Sequence, residues 1–204
     1  MISLIIIGIT SLYSILAFQN RDLFSKSLFN ACQIKSDREW QRFFTYALVH
    51  ADWPHLLVNM YSLYLFGQAV EDYFGILFNE KAMLYFILLY LGGIVLSVYP
   101  AFEKHKNDYQ YNAVGASGAV SAVVFSCIVI APQMKLMFIF LPIPMPAFIF
   151  GGLYLFYSWY MAKRGADGIG HDAHFWGAIF GIVFTFLLMP RLVPQFFDKI
   201  MPVF

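Results

Sequence analysis

Four residues in three separate apolar stretches have the types and spacing to do chemistry together. Ser117 stands in Tyr111-Asn112-Ala113-Val114-Gly115-Ala116-Ser117-Gly118, a loop that enters an apolar helix through Gly-Ala-Ser-Gly. The glycines permit a sharp turn and let backbone come close to whatever faces the serine. A hydroxyl at a helix start is surrounded by N–H groups without helical partners and by the positive end of the helix dipole. Such surroundings can hold an oxyanion beside a nucleophile. His174 stands in Ala173-His174-Phe175-Trp176-Gly177-Ala178-Ile179-Phe180-Gly181. Gly177 and Gly181 form a small-xxx-small face, and a histidine three residues before it lies on the same close-packing side. His55 and Asn59 are four residues apart and share one helix face. A nucleophile, a base and two hydrogen-bond donors are the parts needed for acyl transfer through a tetrahedral intermediate. Each residue also has a plainer reading. Ser117 can be a cap or a small packing residue, and His55, Asn59 and His174 can be polar contacts between helices.

The chain that must position them is 60% hydrophobic and 12% charged, with 23 Phe and 13 Tyr in 204 residues. Too few polar residues are present to coat a soluble domain, whereas a membrane bundle needs only short polar loops. One membrane domain over residues 1–204 is expected. A net charge of +1 offers no basic patch for nucleic acid. Cys32 and Cys127 are expected at different depths and not as a disulfide. Apolar runs of crossing length, roughly 17 to 25 residues, are Ile2–Phe18, Pro54–Phe74, Ala82–Tyr99, Val114–Ala131, Met145–Met161 and Ala173–Met189. The expected fold is therefore all-α and polytopic, with six transmembrane helices. Ile2–Phe18 has no basic flank or cleavage site and is read as a retained helix. The long connection 19–53 mixes charges with Phe24, Phe29, Phe43 and Phe44, which is expected of a folded loop on the membrane. Met134–Leu141 is apolar but too short to span, and is expected at the interface or under the bundle. The third span is expected to stop at Tyr99-Pro100, with 101–112 as a polar loop.

Counting spans brings the candidates together. The second, fourth and sixth helices cross in one direction, and His55, Ser117 and His174 each lie about one turn from the start of theirs. Asn59 is one turn, about 5 Å, deeper. His55, Ser117 and His174 share a side and a depth, with Asn59 a turn below, which the plainer readings do not require.

On these residues the sequence resembles the rhomboid family of intramembrane serine proteases. Gly115-Ala116-Ser117-Gly118 is similar to its G-x-S-G, Ala173-His174 with Gly177 and Gly181 to its A-H-x-x-G-x-x-x-G, and His55 to Asn59 to its H-x-x-x-N, with His50 as an upstream histidine. Glu39-Trp40-Gln41-Arg42-Phe43-Phe44-Thr45 and Gly67-Gln68-Ala69-Val70-Glu71 extend the resemblance over the whole six-helix core. It implies a Ser117–His174 dyad that cleaves transmembrane segments of substrate proteins within the lipid bilayer. It also implies an oxyanion hole of His55, Asn59 and the Ser117 N–H, with Ala116 N–H as a further donor. Arg42, Glu71, Gly115, Gly118, Gly177 and Gly181 would be structural supports. No cofactor or metal is expected, and the oligomeric state is open.

The sequence departs from the family in two places. Gln41 stands where the family's W-R motif has tryptophan, so only Arg42 carries over. Ser121 stands four residues after the nucleophile, where many members have a tyrosine stacked on the catalytic histidine. His174 must then be oriented by other packing. Asp172 is two residues from His174 and faces elsewhere, so no third carboxylate is expected. His171, three residues before His174, could face the same cavity, but a solvated loop histidine is the preferred reading; His105 is read as part of a solvated face, and Glu71 as a loop tie. The cations of the loops on the active-site side outnumber those opposite, which alone points that side to the cytosol. The family implies the reverse, a bacterial inner-membrane protein with its site opening outward, and that is the expectation adopted. Two other functions compete. A catalytically silent rhomboid-like protein would bind transmembrane clients with the same fold, and a small transporter would show a repeat between halves, which this sequence lacks.

Overall fold

The computed structural model describes residues 1–138, 141–164 and 169–201. Its elements run α1 (Ile2–Gln19), α2 (Arg21–Ser27), α3 (Ala31–Ser36), α4 (Arg42–Thr45), α5 (Trp53–Phe78), α6 (Ala82–His105), α7 (Ser117–Ile130), β1 (Lys135–Phe138), β2 (Leu141–Pro146), α8 (Ala147–Arg164), α9 (His171–Leu188) and α10 (Leu192–Ile200). Among the described residues three stretches are long and apolar enough to cross a membrane: Ile2–Gln19, Trp53–His105, which holds α5 and α6, and His171–Leu188. α7 is apolar but has only 14 residues. The chain is a polytopic helical membrane protein, and its surface has the matching polarity. On α1 the buried residues are Ser3, Thr10, Ser14 and Ala17, while Leu4, Ile5, Ile9, Leu12 and Leu16 face outward. With lipid as solvent, small and hydroxyl side chains go to the helix contacts and large apolar ones go outside.

α7 is the centre. From Gly118 to Ile130 all of its residues except Val124 are buried, because neighbours cover it on several sides. α9 packs on it backbone to backbone: a Cβ on Gly177 would overlap the Gly118 carbonyl, and one on Gly181 would overlap the Ala122 carbonyl. The two contacts advance by four residues on both helices, so α7 and α9 run parallel. α6 runs the other way against α7, with Gly93 on Ala119 and Ser97 on Gly118. Glu71 of α5 accepts the Ser3 N–H and Oγ–H, both at 2.9 Å, and so ties down the start of α1. Gly67, one turn earlier, makes room for the same Ser3.

The connection 19–53 is folded into α2, α3 and α4, capped by Asn20 and Asn30. Its organiser is Arg42, which is 5% exposed. Its guanidinium donates to the Ser25 and Leu28 carbonyls at 3.0 and 2.7 Å and pairs with Glu39. Trp40 does not enter that core; it lies exposed, stacked on Phe43.

Four of the expected elements differ: α7 is shorter than the crossing run expected over 114–131, α8 is not among the described stretches long and apolar enough to cross, and two others depart in course or kind. α6 continues through Pro100 to His105. A proline removes only its own N–H bond and crowds the carbonyl four residues back, and neighbouring elements can absorb this near a helix end. The apolar segment after α7 contributes strand β1, which pairs antiparallel with β2 in the register Lys135↔Pro146 and Leu136↔Met145. Ile139 and Phe140 lie outside the described residues. Pro142, Pro144 and Pro146 alternate along β2, so their missing N–H groups fall on one edge, where a two-stranded ribbon tolerates them.

The α7–α9 contact predicts that Gly181→Val destabilises the detergent-solubilised protein by about 1–3 kcal/mol in thermal or denaturant unfolding. Gly152→Val, at a position with open space around it, is expected to leave the transition in place. Equal effects would remove the close contact as a cause.

Candidate active site

Ser117 is the first residue of α7 and does not cap it with its side chain. The loop before it is pinned at successive residues to the folded connection 19–53. Ala113 and Phe29 exchange two backbone hydrogen bonds of 3.0 Å, and Gly115 N–H donates to the Tyr46 carbonyl at 2.9 Å. Asn30 Nδ2 donates to the Tyr109 carbonyl and to Asn112 Oδ1. Arg42 shapes the backbone on either side of Ser27, and so acts on Ser117 through Phe29. Tyr46 is itself fixed, its hydroxyl donating to the Ile94 carbonyl at 2.6 Å. Gly115 has φ +103°, a conformation that L side chains rarely adopt. The space beside it is also taken: a Cβ there would lie 2.7 Å from His55 Nε2.

His55 therefore sits against the turn that carries Ser117. Asp52 caps α5 by accepting the His55 N–H at 2.8 Å, which sets where the ring begins. Ala51 N–H donates to His55 Nδ1 at 3.5 Å, so the proton of the neutral ring resides on Nε2, the ring nitrogen nearer Gly115. Asn59 is buried one turn on, with Nδ2 donating to the His55 carbonyl at 2.9 Å. A carboxamide has a second hydrogen to give.

His174 is brought level with Ser117 by the α7–α9 contact. Besides Gly177 lying on the Gly118 carbonyl, a Cβ on Gly118 would be 3.3 Å from the Ala173 carbonyl oxygen. The neighbour of the histidine thus touches the neighbour of the serine. The His174 ring is covered by Tyr154 of α8, with centroids 6.2 Å apart and planes 24° apart, and met edge-on by His171 at 5.8 Å. Expecting His171 to be a solvated loop histidine was wrong. It is 4% exposed, in the first turn of α9, between His174 and Tyr157. Asp172 lies 4.0 Å from Lys104. His105 stacks flat on Tyr111 at 3.8 Å, a contact that helps hold the loop leading to Ser117. Tyr154 was missed at the level of sequence. The fifth apolar run has several aromatics, and only the face shared by Gly151, Tyr154 and Ser158 distinguishes it.

A family model, the rhomboid domain, matches residues 37–191. The chain belongs to the rhomboid family. Similar relatives include a putative rhomboid protease, YdcA, of Bacillus subtilis, 38% identical over 82 residues that make up 40% of this chain and 37% of that protein. RHOMBOID-like protein 12, mitochondrial, of Arabidopsis thaliana is 30% identical over 66% of this chain and 42% of its own length. Presenilin-associated rhomboid-like protein A, mitochondrial, of Danio rerio is 27% identical over 63% of this chain and 32% of its own. The chain spans about two fifths or less of the relatives it matches. The rhomboid match includes Arg42, His55, Asn59, Ser117 and His174 and leaves α1 outside.

α1 nevertheless reaches this candidate site through His50. Ala116 N–H points to His50 Nε2 at 3.4 Å, His50 Nδ1 is 3.0 Å from Ser14 Oγ, and Ser14 donates to the Leu48 carbonyl at 2.7 Å. The directions are consistent only if His50 is neutral, with its proton on Nδ1. Burial, then the neighbouring His55, holds its pKa down from near 6.5 to about 3, with Asp52 opposing. The native state thus refuses a proton that the unfolded chain accepts below pH 6.5. This contribution to stability is complete above that pH and is lost as pH falls towards 3. Between pH 7.5 and 5, wild type should lose stability relative to His50→Gln, with a slope approaching about 1.4 kcal/mol per pH unit at the acid end. Thermal unfolding across that range reads it, and parallel curves would show that His50 is not held neutral.

Proposed function

We propose that this rhomboid is a serine endopeptidase that cleaves transmembrane segments of other membrane proteins with a Ser117–His174 dyad. The observation that carries the proposal is the glycine contact of α7 with α9, which sets nucleophile and base level while Gly115 holds His55 beside them. Ser117 Oγ attacks the scissile carbonyl carbon as His174 takes its proton. The oxyanion is met by His55 Nε2–H, Asn59 Nδ2–H and the Ser117 N–H at the open end of α7. Ala116 N–H, already directed to His50, joins only if that bond breaks. Collapse expels the amine, which receives the proton from His174, and water then repeats the sequence on the acyl-enzyme. Asp172 lies 4.0 Å from Lys104 and two residues from His174, on another side of α9, and has no part in this mechanism.

The length of α7 bears on where this happens. Fourteen residues rise about 21 Å, some 9 Å short of a 30 Å hydrocarbon core. With its far end at one face of the bilayer, α7 starts below the other, and Ser117 meets the substrate helix under the surface. We place that face outside the cytoplasm of a bacterial inner membrane. The excess of cations there belongs to a folded connection, where Arg42 is buried and Lys26 is paired with Asp22.

Detergent-purified protein should react covalently with a fluorophosphonate probe, and the label should vanish in Ser117→Ala and His174→Ala. His55→Ala and Asn59→Ala should each slow labelling on the order of a hundredfold. Folded, monodisperse wild type that stays unlabelled would favour a silent client-binding protein.

A further inference from the structure

We propose that Tyr154 of α8 is the residue that positions the His174 imidazole, with Ser121 of α7 holding the Tyr154 hydroxyl. The inference rests on His174 being the base of the reaction above. A histidine on a helix turns about two soft torsions, and a base must keep one ring nitrogen aimed at its nucleophile. Tyr154 supplies a flat surface for the ring, 6.2 Å between centroids and 24° between planes, within the range of an offset stack. His171 closes a second side edge-on.

What separates Tyr154 from ordinary packing is how its own plane is fixed. Its hydroxyl is 2.9 Å from Ser121 Oγ. Ser121 is four residues after Ser117 and so lies one turn along the same face of α7. The surface against which His174 rests is therefore referred to the helix that carries the nucleophile. Phe125, one turn further, packs on the Tyr154 ring at 5.6 Å. Gly151 lets α8 come close enough, since a Cβ there would stand 3.2 Å from both Phe125 Cε1 and Ile128 Cδ1. The small Ser121 and the large Tyr154 are complementary. A tyrosine on α7 at position 121 would project into the space that Tyr154 fills from α8.

The test is the rate of fluorophosphonate labelling in Tyr154→Phe, Tyr154→Leu, Ser121→Ala and the swap Ser121→Tyr/Tyr154→Leu, with the melting temperature of each. Tyr154→Phe keeps the ring and should stay within about threefold of wild type. Tyr154→Leu should lose on the order of ten- to a hundredfold, as a misplaced base does, while remaining folded at the labelling temperature. The swap should recover most of that loss, which a role in stability alone would not produce. In the Tyr154→Phe background Ser121→Ala should cost nothing further, because the hydroxyl pair is already gone. Wild-type labelling with Tyr154→Leu equally fast overturns this proposal and leaves the protease reading intact, whereas wild type without Ser117-dependent labelling removes both. Should Tyr154→Leu not fold, additive losses from Ser121→Ala and Tyr154→Phe would overturn it, and a non-additive pair would support it.

Discussion

The contact between α7 and α9 at Gly118–Gly177 and Ala122–Gly181 is the constraint on which the other placements depend. In lipid there is no hydrophobic force to press one apolar helix on another, so close approach has to come from the absence of side chains. At these positions even one methyl group would meet a carbonyl oxygen. Because the helices are parallel and in register there, each delivers its first turn to the same end. The first turns that carry Ser117 and His174 are then level without any bond between their side chains being needed to bring them there. The site is a consequence of packing deeper in the bundle, and its polar groups do not have to supply the energy that holds them.

A second constraint acts on the loop before Ser117, which has no helix to hold it. Its support comes from the connection between α1 and α5: the Phe29–Ala113 bridge, the Tyr46 carbonyl under Gly115 N–H, and His50 under Ala116 N–H. Each is a backbone group of the loop paired with a group whose own position is fixed elsewhere. Arg42 fixes the backbone before Phe29, Ile94 receives the Tyr46 hydroxyl, and Ser14 meets His50. Buried backbone donors must find partners where water is scarce. These partners explain why the connection 19–53 carries so much aromatic and charged sequence.

Much of this was legible in the sequence where one residue type has one physical use. Apolar runs gave the polytopic helical class, because nothing else accommodates such composition. Counting them placed His55, Ser117 and His174 at the first turns of α5, α7 and α9. Glycines at 115, 177 and 181 announced close approach, though not its partners. Legibility failed where a residue type has several uses. The apolar segment 134–141 reads as too short to span, yet part of it forms strand β1 against the proline-bearing β2. Pro100 reads as a stop, yet α6 runs through it. Tyr154 is one of 13 tyrosines, and only tertiary contact distinguishes the one over His174. His171 was misread because a histidine at a helix start after a polar loop looks the same in sequence whether the helix is buried there or not.

The same ambiguity covers a division of labour inside the bundle. α7 and α9 are joined by backbone contacts that leave no freedom, whereas α8 is attached through a smaller separate cluster of Phe125, Ile128, Ala147 and Ala178. It exposes Leu153, Phe156, Tyr157, Trp159 and Tyr160. A hydroxyl pair within a membrane bundle stabilises by about 0.6–2 kcal/mol, so Ser121–Tyr154 is a modest latch. A substrate helix entering between α8 and α7 would have to break this latch together with the packing of Gly151 on Phe125 and Ile128. With Tyr154 on α8, displacement of that helix would also take the stacked ring from His174. Entry of a substrate and orientation of the base would then draw on one contact, and the base would be fully set only when α8, or the substrate in its place, again closes against α7.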